Sequence, residues 1–223
     1  MGAAIGEMLP LAIGIAISPL PIIAVILILT TPKGRSNGLA FLGGWLLGLA
    51  AVGVIVLAAT DTYAGTSSEP SQVVSAIKLA LGLLLLVLAW RQLDKRPKPG
   101  QEAPLPKWMT ALDSFTPARS LVFAALLSGL KPKNLILNAS ASAGIAQSGL
   151  GGPQQAAVLL LLIVVGSLGI IAPVGVYYAM GDKAAPVLGD WKTWLVANNA
   201  TVMVVLFVVF GVTLIGKGIA ELS

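Results

Sequence analysis

The stretch IAISPLPIIAVILILTTPKG, residues 15–34, decides the fold, because two prolines, Pro19 and Pro21, interrupt an apolar run that is otherwise continuous. Proline has no N–H, and its ring clashes with the carbonyl four residues back. Pro19 and Pro21 therefore strip the carbonyls of Ile15 and Ile17 of their helical donors. The helix is predicted to break near Ser18. Ser18 and Pro19 also read as the N-cap and first residue of a new half-helix, since those residue types favour those positions. From residue 6 to the break is about 18 Å at 1.5 Å per residue, past the midpoint of a hydrocarbon core about 30 Å thick.

A membrane setting follows from the composition. Hydrophobic residues make up 57% of the 223-residue chain and charged ones 10%, and the mean hydropathy is +0.92. A soluble domain is about a quarter charged. Six apolar segments, residues 6–30, 39–59, 73–93, 120–147, 155–180 and 201–220, have the length to cross a bilayer. They lack the in-out alternation of barrel strands, so the expected class is all-α. A removable signal peptide is not expected, because the first residues carry Glu7 and no Lys or Arg.

The net charge of +5 does not point to nucleic acid, since most basic residues lie between the apolar segments. TPKGRSNG, DKRPKPGQEAPLPKWMTALDSFTPAR and GDKAAPVLGDWK hold nearly all of them, which predicts cytoplasmic loops and both termini outside. Residues 94–119, rich in Pro and charge, read as a cytoplasmic linker between a first unit, residues 1–93, and a second, residues 120–223. Three crossings per unit make the second enter from the opposite side, which predicts two inverted three-helix repeats. Before the last segment, DWKTWLVANN puts Trp191, Trp194 and Leu195 on one side of a short interfacial helix, or of an ordinary loop with aromatic anchors.

The second unit repeats the break. In LLSGLKPKNLILNASASAG, Pro132 falls about 18 Å after the start of its span. Matched interruptions in two halves point to a central transport site, because non-helical backbone at that depth must be buried in protein or line a cavity. Candidate substrate-binding residues are Ser18, Pro19, Pro21, Lys131, Pro132, Lys133, Asn134 and Asn138. Lys131 and Lys133 beside a helix N-terminus would attract an anion. If the helix instead begins near Asn134, both lysines are interfacial anchors. Lys78 is a further candidate, with snorkelling to the outer interface as its other reading. Glu7 is the candidate for proton coupling, or a simple surface acid. Asn138 and Ser142, four apart, share a helix face. Ala40, Gly44 and Gly48 form a small-residue row suited to close helix packing, within one chain or between two copies as a homodimer.

With no His and no Cys, catalysis and metal or haem ligation by those residues are excluded. Ser128 and Lys131 form a weak candidate dyad. Neither an enzyme, a metal site nor a cofactor is expected. No selectivity filter is visible, which disfavours a channel.

SPLP in the first span, PKGRSNGLAFLGGWLLG in the second, IKLALGLLLL in the third and GLKPKN in the fourth resemble the lysine-exporter superfamily. Within it the chain most resembles the actinobacterial GAP family of glycopeptidolipid-addressing and sulfolipid-addressing proteins, over nearly its whole length. The superfamily pattern Ser-Pro-Gly-Pro is met at Ser18, Pro19 and Pro21 with Leu20 in place of Gly. Its Asn-Pro-Lys is met at Pro132 and Lys133 with Lys131 in place of Asn. The resemblance implies a bacterial plasma membrane protein that moves a complex glycolipid or other anionic amphiphile by alternating access. Alternatives are an amino-acid or small-metabolite exporter, and a non-transporting accessory protein that docks a lipid synthase or larger exporter on the linker.

Overall fold

The computed structural model describes residues 1–64, 72–94, 112 and 114–220, and among these every regular element is helical. The helices are α1 (Gly2–Ala16), α2 (Pro19–Leu29), α3 (Gly34–Ala64), α4 (Gln72–Asp94), α5 (Pro117–Gly129), α6 (Pro132–Ala146), α7 (Gly152–Gly166), α8 (Leu168–Met180) and α9 (Ala184–Ala220). Both expected breaks occur. The axis turns by 51° between α1 and α2 and by 64° between α5 and α6. Most of the expected linker, with Trp108, lies outside the described residues.

By length and composition, Gly34–Thr60 and the run Leu168–Ala220 are apolar enough to cross a membrane, and each bent pair adds one crossing when counted as a single span. That makes up to four among the described residues, against six expected. Two features separate the counts. Helix α4, the third expected segment, is not among the four, and the 53 residues of Leu168–Ala220, counted once, would extend about 80 Å if straight, far beyond one bilayer core. The run is interrupted at Gly181, whose φ of 54° few other residues adopt.

The expected short interfacial helix is corrected. Residues 190–199 run unbroken inside α9, because the helix absorbs their polar groups: Thr193 Oγ1 donates to Gly189 O and Asn198 Nδ2 to Trp194 O, each at 2.9 Å. Trp191 and Trp194 are exposed on its surface.

The ends of several helices meet on one side of the molecule. Asn37 Nδ2 donates to Phe115 O at 2.8 Å, and Tyr178 Oη donates to Arg35 O at 2.8 Å. The Arg35 guanidinium also lies 5.6 Å from the Tyr178 ring centre. The starts of α3 and α5 and the end of α8 are thereby gathered, and with them Lys33, Arg35, Arg119 and Lys183.

Packing depends on small residues at the closest approaches. Helix α3 lies along α5, where Gly44 faces the Leu121 carbonyl and Gly48 faces the Ala125 carbonyl and the Ser128 hydroxyl. The small-residue row therefore packs within the chain. Helix α4 lies along α9, where Gly82 and Gly211 face each other's backbone. Helix α1 packs against α6 and α7, and α2 against α8 and α9.

A side chain at Gly48 has no room beside the α5 backbone, so Gly48→Leu is expected to cost about 1–3 kcal/mol through overpacking. At Gly43 a Cβ meets nothing within 4 Å, so Gly43→Ala is expected to be neutral or mildly stabilising. Thermal unfolding of the two variants in detergent distinguishes them; equal melting temperatures would show that the α3–α5 approach is not tight.

Candidate functional site

At the first break four carbonyls lose their helical donors, and each finds another. Pro19 and Pro21 supply no N–H to Ile15 and Ile17, and the turn at Ser18 diverts the donors of Gly14 and Ala16. Lys133 Nζ donates to Gly14 O at 2.7 Å and to Ile17 O at 2.8 Å. Ser18 Oγ donates to Ile15 O at 2.8 Å, and Ser18 N donates to Ala16 O at 3.0 Å. In hydrocarbon an unsatisfied backbone group costs several kcal/mol. The break persists because one lysine from the other half of the chain reaches into it.

Ser18 precedes α2 at the N-cap position, yet its hydroxyl turns back to α1 and caps no N–H of α2. The reason is local: a capping side chain binds the second or third helical N–H, and the third residue here is Pro21. The Ser18 hydroxyl also lies 3.1 Å from Asn134 Oδ1. With one proton to give, it shares that proton between Ile15 O and Asn134. Gly169 of α8 packs directly on the Ala16 carbonyl, leaving no space there for a Cβ.

The second break is held from its own side. Asn134 Nδ2 donates to Leu127 O at 3.1 Å, across the gap between α5 and α6. One turn on, Asn138 Nδ2 donates to Leu49 O of α3 at 2.9 Å, and Ser142 Oγ lies 3.4 Å from Asn138 Oδ1. Lys133, Asn134, Asn138 and Ser142 are all buried, Lys133 with 2% of its surface exposed. These residues fasten α6 to α1, α3 and α5.

Among the residues expected to bind substrate, Ser18, Lys133, Asn134 and Asn138 are thus brought together and occupied by the protein's own polar groups. Pro19 and Pro21 are buried at the start of α2, whereas Pro132 is exposed. Lys131 is different. It precedes α6, and its Nζ is buried without a hydrogen-bond partner. No side chain caps the N-terminus of α6 beside it. Ser128 Oγ donates to Ala125 O at 3.1 Å and makes no bond to Lys131.

Lys78 and Glu7 lie elsewhere, at a narrow cleft between α1, α4, α6 and α9 that Ser140 and Lys217 also line. Lys78 is buried, and Glu7 forms an ion pair with Lys217 at 3.3 Å. Lys217 had no sequence signal as a site residue, since nothing local relates it to Glu7, 210 positions away.

The family model for the sulfolipid-1-addressing protein Sap matches residues 8–220. The chain belongs to this family. No curated protein and no solved structure matches it.

Replacing Lys133 by Met removes both donors from the first break, an expected loss of about 2–4 kcal/mol for two carbonyls left unpaired. Ser18→Ala removes one donor and should cost about 1–2 kcal/mol. Thermal unfolding of the purified protein reads both, and wild-type stability in the Lys133→Met variant would show that this lysine does not hold the break.

Proposed function

We propose that this member of the sulfolipid-1-addressing family is a carrier for an anionic amphipathic lipid, whose head group binds at the helix breaks while its tails stay in the bilayer. The observation that carries the reading is the buried, unpartnered amine of Lys131 at an N-terminus of α6 that no side chain caps. A lone cation in that setting is costly. An anionic head group supplies the missing partner, and the positive end of the α6 dipole favours the same sign of charge. The family is named for the addressing of a sulfolipid, a lipid of that chemistry.

In this reading α1–α4 and α5–α9 are two inverted repeats that rock against each other to alternate access. The packing supports it: exchanging α1–α2 with α5–α6, α3 with α7–α8 and α4 with α9 carries the contacts of α3 with α5 and α6 onto those of α7 and α8 with α1 and α2, and the α4–α9 pair onto itself. The basic end with Lys33, Arg35, Arg119 and Lys183 faces the cytoplasm, both termini lie outside, and the membrane is the bacterial plasma membrane. No covalent step is involved, in keeping with a Ser128 hydroxyl that bonds its own helix instead of Lys131.

The test is a strain lacking the gene, complemented with wild-type or Lys131→Gln protein, in which surface and total lipid are compared. Losing a charge-assisted contact is expected to cut surface lipid about tenfold or more, with total lipid and the amount of protein in the membrane unchanged. Normal surface lipid in the variant rejects the assignment of Lys131. Purified protein that moves no sulfated lipid across reconstituted vesicles would point instead to an accessory role beside another exporter.

A further inference from the structure

We propose that Trp45 of α3 is a second head-group contact, its indole N–H donating to an oxygen of the same sulfate or phosphate group that Lys131 binds. The inference deepens the carrier reading and rests on it for the class of ligand. Its own support is a second buried donor without an acceptor, on a different helix and at the height of Lys131.

Trp45 is 1% exposed, and its Nε1 has no hydrogen-bond partner. An indole nitrogen can only donate, and a buried one ordinarily finds an acceptor. Leaving it without one is a cost that packing does not explain. Lys131 Nζ is in the same condition. Two donors that both lack acceptors call for a ligand with oxygens to give, and a sulfate or phosphate group has one for each. The ammonium supplies charge, whereas the indole N–H, fixed in the plane of a rigid ring, supplies direction.

The register of α6 on α3 places the two donors. Asn138 donates to Leu49 O, 89 positions earlier, and a Cβ at Gly53 would lie 3.4 Å from Ser142 Oγ, at the same offset. The two helices therefore run side by side in one direction. Carried back to the start of α6, that register sets Lys131 level with Leu42. Trp45 is one turn before Leu49, and a long helical side chain leans toward the N-terminus of its own helix. The Trp45 ring thus reaches back toward the level of Leu42, which is that of Lys131. The first break is close to the same height: Gly166 packs against both Ile15 and Leu49, and Gly169, three residues on, packs against the Ala16 carbonyl.

The surface beside the second break suits a lipid. Val122, Leu126 and Leu130, spaced four apart, form an exposed apolar stripe along α5, and Pro132 is exposed beyond them. Lys131 lies between Leu130 and Pro132 with its amine buried. An amphiphile resting on that stripe can turn its head group inward at the break and keep its tails in the bilayer, which suits it better than a hydrated inorganic ion.

The experiment is proton–nitrogen correlation NMR of the purified full chain in detergent micelles, labelled at the indole nitrogens. The chain has five tryptophans. The Trp45 signal is assigned by its absence in Trp45→Phe or, should that variant not fold, by elimination through Trp90→Phe, Trp108→Phe, Trp191→Phe and Trp194→Phe. The probes are a sulfated galactolipid, its unsulfated parent and inorganic sulfate. The sulfated lipid is expected to move the Trp45 indole proton downfield, as a new hydrogen bond does, and the unsulfated parent to leave it in place. Trp45→Phe should weaken binding of the sulfated lipid about fivefold, the worth of one neutral hydrogen bond. In a Lys131→Gln background the same substitution should cost less, because the two donors hold one group. A Trp45 signal that no probe moves overturns the proposal, and the carrier reading stands if the sulfated lipid still binds through Lys131. A Trp45 shift and an affinity that Lys131→Gln leaves unchanged overturn the shared site and the role of Lys131 in the carrier reading. An equal shift with the unsulfated parent overturns recognition of the anion, and an equal shift with millimolar inorganic sulfate overturns the assignment to a lipid.

Discussion

A backbone carbonyl in hydrocarbon must have a donor, and this constraint shapes the centre of the molecule. Two prolines two residues apart remove two donors from one turn of the first helix, and the turn that follows displaces two more. The ammonium group of Lys133, arriving from a helix more than a hundred residues later in the chain, closes two of the four openings. That single side chain makes the first break affordable and joins the two halves of the protein. Ser18 closes a third opening and touches Asn134, which in turn bridges the second break. The breaks are therefore one polar structure with members from both halves.

Two lysines that flank one proline thus have opposite fates. Lys133 points into the first break and is fully engaged, and its role is to hold shape. Lys131, two residues earlier and outside the helix, has no partner. Movement of α1 against α6 would strain the Lys133 bonds first. The Glu7–Lys217 contact lies further along these helices, outside this network.

Much of this could be read from residue order. The two prolines and the loss of donors at Ile15 and Ile17 are local consequences of covalent structure, and both carbonyls are found with substitute donors. The row Ala40, Gly44, Gly48 announced a close approach without naming its partner, which proved to be α5 in the same chain. Ser18 was expected to cap α2 and instead serves α1, because Pro21 removes an N–H it would have bound. The residues around Trp191 and Trp194 suggested a separate interfacial helix. They belong to α9, since their polar side chains bond within the helix and no proline stops it.

What the sequence alone determined is where the chain is apolar, where its helices must break and which end collects positive charge, since all three depend on residues close together in the chain. Only the tertiary structure decided that Lys133 serves a carbonyl on α1 while Lys131 stays unpaired, and that Glu7 meets Lys217 across a cleft shared with Lys78 and Ser140. Those outcomes depend on which helices become neighbours and on the direction a long, flexible side chain takes among several carbonyls within reach. Neither spacing nor composition encodes that choice, because the partners lie more than a hundred residues apart.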